Sequence, residues 1–233
     1  MNTVEEKAEE TPHYHGHRDR LRQRFLQSGP DALADYEMLE LILFMAIPRR
    51  DVKPLAKELL HKFGNLAGVL NAELGELERI SDLSENTIVA LKAMQAAAHR
   101  LMMQEIIKKP VLNSWSRLLD YCHATMAHEK REHFRVLFLN KKNELIADEV
   151  EQTGTVDHTP AYPREIMKRA LELSATALIL VHNHPSGDPT PSDADVDMTL
   201  AIKAAGEPFG IVIHDHLVIS KNGISSFKTM GLI

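Results

Sequence analysis

A single cysteine, Cys122, is present in 233 residues, so an internal disulfide is excluded and a reducing compartment fits. Leu118, Cys122 and Met126 fall at i, i+4 and i+8, the spacing of a thiol on the buried face of a helix. Long apolar runs are missing too. The strongest, Met38 to Ile47, is too short to span a bilayer and is interrupted by Glu40. The first ten residues, Met1 to Glu10, are acidic and poor in apolar side chains, which speaks against a secretory signal. No basic excess exists either. Net charge is −6, with 15 Lys+Arg against 17 Asp+Glu in residues 1–109 and 12 against 16 in residues 110–233. The electrostatic footprint of a nucleic-acid binder is therefore absent at this level. Arg18, Arg20, Arg22 and Arg24 form the only dense basic cluster, read as a solvated helix face with a phosphate-binding patch as the alternative. There are no internal repeats. The expectation is a cytoplasmic globular protein of one or two domains, with no membrane contact.

What is present is a normal globular composition, 44% hydrophobic and 26% charged, and one chemically loaded segment. His182-Asn183-His184 follows the apolar run Thr176 to Val181, which has the character of a buried strand. Side chains two apart on a strand point the same way, so both imidazoles converge on one point, as zinc ligands do. Pro185 to Pro191 is turn chemistry throughout. Ser192 then opens a helical run over 193–205, on which Val196, Leu200 and Lys203 have helical spacing, and Asp195 sits in its first turn. Asp195 is a candidate third ligand, leaving a fourth tetrahedral position for water, the layout of a catalytic rather than a structural zinc site. With 13 His in the chain, chance placement of His-x-His, Ser and Asp at this spacing is about one in 500. Ser192 and Asp195 also read as a capping box, a role compatible with metal binding.

Around this segment, residues 1–17 read as a disordered tail, where His13, His15 and His17 bind metal at most adventitiously. Residues 18–109 give only helical signals. Leu21 and Phe25 mark a helix stopped by Gly29-Pro30, and Asp35 precedes a second that ends before Pro48. Asp51 caps a third, with Leu55, Leu59 and Leu60 buried. Ser84 caps a long helix with a stripe of Ile88, Leu91, Met94 and Ala98. Lys108-Lys109-Pro110 is the expected boundary. Residues 110–233 alternate: a helix over 114–127, a hairpin of 134–139 and 144–150 about Asn140 to Asn143, a helix from Pro163, the ligand strand and ligand helix, and two strands over 209–213 and 216–220. This pattern gives an α/β sandwich holding one metal site.

Hydrolysis at such a site needs a carboxylate that takes and returns a proton. Glu132, at the start of the 134–139 strand, and Glu149, in its hairpin partner, are the candidates. His182-x-His184 with Ser192 and Asp195 resembles the JAMM motif of MPN+ metalloproteases. The strings Arg131-Glu132-His133-Phe134-Arg135-Val136-Leu137, Pro163-Arg164-Glu165 and His182-Asn183-His184-Pro185-Ser186-Gly187-Asp188 are similar to the bacterial RadC family. The resemblance implies a JAMM/MPN-type (cytidine-deaminase-like) α-β-α sandwich preceded by an all-helical, helix-hairpin-helix-like domain. It further implies one zinc on His182, His184 and Asp195, Glu132 as acid/base, Ser192 as oxyanion donor, and a peptide or isopeptide as substrate. Asn183 reads as a loop-fixing residue, Asp188 as a cap of its own turn, and Asp215-His216 as a structural or supporting pair near the site. A DNA-associated accessory protein acting through the N-terminal helices is the alternative. The stretch Ile80 to Asn86, where the hairpin would meet phosphate, has no glycine and carries Asp82 and Glu85.

Overall fold

The computed structural model describes residues 16–107, 109–153 and 162–233. Two compact units divide between Gln95 and Ala96. The first is helical. Its helices are α1 (His17–Ser28), α2 (Asp35–Ala46), α3 (Lys53–Phe63), α4 (Leu66–Asn71), α5 (Leu74–Glu78) and the start of α6 (Glu85–Ile106). Local chemistry sets the ends of these helices as the sequence predicts. Gly29 closes α1 at a φ of 80°, and Pro30 starts a separate turn of 3-10 helix. The Asp51 carboxylate accepts the Lys53 N–H, and Ser84 Oγ accepts the Thr87 N–H. Leu39, Leu43, Leu55, Leu59, Leu77 and Leu91 fill the core of this unit.

Three expectations change here. Leu60 is only partly buried, and Ala56 takes the core position on α3. On α6 the buried stripe stops at Leu91: Met94 is 39% exposed and Ala98 is exposed too. His17 belongs to α1 rather than to a tail, and its Nε2 lies 2.6 Å from Oε2 of the buried Glu40. His13 and His15 lie outside the described residues.

The second unit contains a five-stranded sheet in the order β2-β1-β3-β4-β5. The strands are β1 (His133–Leu139), β2 (Leu145–Thr153), β3 (Ala177–Asn183), β4 (Val212–Ser220) and β5 (Gly223–Ser226). The hairpin of β1 and β2 turns through Asn143, whose φ of 59° is the left-handed conformation Asn tolerates. One face of the sheet packs on α7 (Trp115–Met126) through Leu118, Cys122, Leu137, Val181 and Leu217. The other packs on α8 (Pro163–Glu172) and α9 (Asp193–Gly206) through Val136, Phe138, Ile166, Leu180 and Ile202. A short α10 (Phe227–Met230) ends the chain's regular structure. The result is an α/β/α sandwich.

One further expectation is corrected. Residues 212–220 form one strand, not two: Ile213 pairs with Leu178 and Asp215 with Ile179, so the ladder continues past a bulge at His214. The buried face of α9 is Asp195, Thr199, Ile202 and Gly206, while Leu200 is 44% exposed.

Candidate metal centre

β3 is buried along its whole length, as a central strand covered on both faces must be. Alternation turns Leu178, Leu180 and His182 toward α8 and α9, and Ile179 and Val181 toward α7. His184 lies just past the strand, held by its N–H on the Ile219 carbonyl at 2.8 Å. β3 and β4 are parallel, so a crossover must join them, and α9 is that crossover. Its N-terminus therefore starts near the carboxyl end of β3, which brings Asp195 to the two histidines.

The three candidate ligand side chains meet. Their ligand atoms all lie within 4.8 Å of one another. His182 Nε2 and His184 Nε2 are 3.0 Å apart, His182 Nε2 and Asp195 Oδ1 3.4 Å, and His184 Nε2 and Asp195 Oδ2 3.7 Å. Ligands at about 2.0–2.1 Å from a tetrahedral zinc stand about 3.3 Å apart, so the observed spacing fits. The protonation pattern fits as well. His184 Nδ1 donates to the Asp188 carbonyl at 2.8 Å, and a carbonyl only accepts, so a neutral His184 turns the lone pair of Nε2 toward the cluster. Burial would raise the pKa of Asp195, but its contacts with His182 and His184 outweigh that and hold it far below the carboxylate range. The pKa of His184 is raised, chiefly by Asp195, against burial, with the charge of Glu132 adding to the effect. The trio is built to hold positive charge.

Ser192 caps α9 in a reciprocal box. Its Oγ accepts the Asp195 N–H at 3.2 Å, and its own N–H and hydroxyl donate to Asp195 Oδ2 at 2.8 and 2.6 Å. The hydroxyl proton is thus spent on the candidate ligand rather than aimed into open space. A loop contact braces the other side. Gly187 has a φ of 91°, and a Cβ there would stand 2.7 Å from Lys221 Cε. Asn222 Nδ2 donates to the Gly187 carbonyl at 2.9 Å, tying the 185–191 loop to the turn after β4.

Glu132 and Glu149 separate clearly. Phe134 pairs with His182, so two more residues along the antiparallel register place Glu132 level with His184. Glu132 is partly buried there. Glu149 pairs with Val136 on the far side of β1 and takes a bidentate contact from Arg169, at 2.6 and 2.8 Å.

The remaining sequence candidates have partners of their own. Asp188 accepts from Thr190 N and Oγ1, capping its turn. Asp215 accepts from Ser226 Oγ and from the backbone of His216 and Lys228, which anchors the turn into α10. His216 was read as structural or supporting, and its Nε2 lies 2.8 Å from His182 Nδ1. Thr199, 2.6 Å from the other nitrogen of His216, was missed by the sequence reading. It stands four residues after Asp195, on the same helix face, and that spacing was the available signal. In the first unit Arg18 donates to the carbonyls of Ile47 and Arg50, Arg22 pairs with Asp19, and Arg24 pairs with Glu37.

Sandwich, crossover and ligand set together define a JAB-type domain with a histidine and aspartate cluster. The chain belongs to the RadC-like JAB domain family, whose model matches residues 112–232. Residues 15–89 match the UPF0758 N-terminal model. No helix among the described residues is long and apolar enough to cross a membrane.

Proposed function

We propose that the chain is a zinc-dependent metallohydrolase of the peptidase or isopeptidase class, with His182, His184 and Asp195 as its metal ligands. The observation that carries this reading is the convergence of two imidazole nitrogens and a carboxylate at tetrahedral spacing. Zinc bound there would polarise a substrate carbonyl and acidify water. The chain's own residues supply the rest. Glu132, level with His184, takes the proton of the attacking water at its carboxylate and returns it to the departing nitrogen. Ser192 holds Asp195 in place and becomes an oxyanion donor only if its hydroxyl turns away from Oδ2. The bidentate contact with Arg169 argues against Glu149 as the base. The nucleic-acid alternative has less behind it, since three arginines of the N-terminal cluster are already engaged within their own unit.

The test is metal content and cleavage of a peptide and isopeptide library by the full chain. Stoichiometric zinc is expected in the wild type and in Glu132→Gln, and not in Asp195→Ala, with cleavage in the wild type alone. A wild type that holds no zinc ends this reading. Zinc retained with no difference in cleavage between wild type and Glu132→Gln ends the assignment of the base.

A further inference from the structure

We propose that Thr199 and His216 are positioning residues for the metal centre, fixing His182 in the tautomer that presents Nε2 to the ion. This rests on the reading of His182 and Asp195 as ligands, but it concerns two residues outside the ligand set. The Asp195 carbonyl can only accept, and Thr199 Oγ1 lies 2.5 Å from it, so the threonine hydroxyl donates there. Its proton is then committed. Thr199 Oγ1 must act as acceptor toward His216 Nδ1, 2.6 Å away, and His216 carries its proton on Nδ1.

His216 is fully buried, stacked on Phe227 at 4.5 Å between ring centroids and edge-on to Phe134 at 5.7 Å. A charged imidazole is costly in that fully buried, apolar setting, so His216 is neutral. A neutral His216 protonated on Nδ1 has a lone pair on Nε2. That lone pair meets His182 Nδ1 at 2.8 Å, so His182 is the donor and its own Nε2 is left bare, facing the cluster. Each step follows from the one before.

The chain of hydrogen bonds runs from the backbone of one candidate ligand, Asp195 on α9, to the ring of another, His182 on β3. It therefore fixes the proton of His182 and ties helix to strand at the place where the ion would sit. Thr199 and His216 are both wholly inaccessible, so water cannot replace either partner without opening the core. Valine at 199 fills the same volume without the hydroxyl, and serine keeps the hydroxyl while losing a methyl group.

The test uses the full chain in zinc-free and zinc-loaded forms. Zinc affinity is read by competition with a chromophoric chelator for wild type, Thr199→Val and Thr199→Ser. Imidazole nitrogen NMR on the zinc-free protein reads the tautomers of His182 and His216. Thr199→Val is expected to bind zinc about 10- to 100-fold more weakly, and Thr199→Ser to stay close to wild type. Both rings of the wild type are expected as Nδ1–H tautomers, with that preference lost in Thr199→Val. Thermal unfolding of the zinc-free variants separates misfolding from weakened binding. Equal affinity in wild type and Thr199→Val overturns the proposal. So does equal weakening in the serine variant, which would trace the effect to packing, or an Nε2–H His182 in the wild type. If the wild type binds no zinc, the metal-centre reading fails on its own, and the tautomers still decide whether the network directs His182.

Discussion

The side-chain carbonyl of Asn183, the residue between the two candidate ligands, accepts the backbone N–H of His133 at 2.8 Å. Its amide group donates to the carbonyls of Arg131 at 3.0 Å and Glu129 at 3.3 Å. These three backbone groups bracket Glu132. Asn183 is buried, and removing its amide takes one partner from each of the three groups. Asn183→Leu is expected to lower stability by about 2–4 kcal/mol, from three orphaned groups less the gain in apolar burial. Asn183→Asp keeps the acceptor for His133 but sets a carboxylate against two carbonyls, and should be at least as harmful. Urea unfolding of both variants checks this. A midpoint unchanged in both would mean that the loop is held by other contacts.

Glu149 offers a contrast that pH can read. Hydrogen bonding from Arg169 holds its pKa below the ordinary value, against the opposing effect of burial. A depressed carboxylate stabilises the fold above its unfolded pKa, about 4.3, and loses that contribution as pH falls through the folded value. Arg169→Met should therefore be slightly less stable than wild type at neutral pH, with the gap closing as the pH drops below the ordinary glutamate range. Thermal melts at a series of pH values between neutrality and acid give the comparison. In the same experiment Glu149→Gln should keep both zinc and cleavage. Loss of cleavage in Glu149→Gln with folding intact would reinstate it as the base.

The elements were legible wherever apolar periodicity and turn chemistry agreed. Gly29-Pro30, Asn140 to Asn143 and the buried β3 strand all fell where local rules put them. The reading failed where buried positions are polar. On α9, Val196, Leu200 and Lys203 gave the helical spacing, yet the buried face carries the polar Asp195 and Thr199. His214-Asp215 looked like a break between strands, yet Asp215 is satisfied by Ser226, His216 and Lys228, so β4 runs through. Hydropathy patterns assume that what faces inward is oily, and a catalytic or metal-binding face breaks that assumption. The His-x-His pair and Asp195 were visible as candidate ligands because their spacing is one that metal sites use. Thr199 has only its position four residues after Asp195, a spacing that names no chemistry by itself.

Cys122 was expected as a buried helical thiol, and it is fully inaccessible beside Leu118 and Met126. Burial, with the nearby Asp148 charge adding to it, pushes its pKa up to about 12. Only the thiolate reacts, so a thiol reagent should not modify the native protein at neutral pH. Modification should appear only as the chain unfolds in denaturant, following the unfolding curve. Rapid labelling of the native protein would show that the α7 layer opens far below the global transition.

Ser192 joins two roles that a single substitution pulls apart. Its Oγ caps α9 through the Asp195 N–H, and its hydroxyl proton goes to Asp195 Oδ2. Ser192→Ala removes both, so stability should fall by about 1 kcal/mol, the usual loss of an N-cap. Asp195 Oδ2 also loses the hydroxyl, one of its two donors from Ser192, and zinc affinity should fall with it, as it does when a ligand's hydrogen-bond partner is removed. Ser192→Asn restores a cap without a hydroxyl, which should recover the stability but not the full zinc affinity. If Ser192 served only to meet an oxyanion, cleavage would drop in Ser192→Ala with zinc affinity untouched. Chelator competition on the two variants, alongside their urea midpoints, tells these outcomes apart.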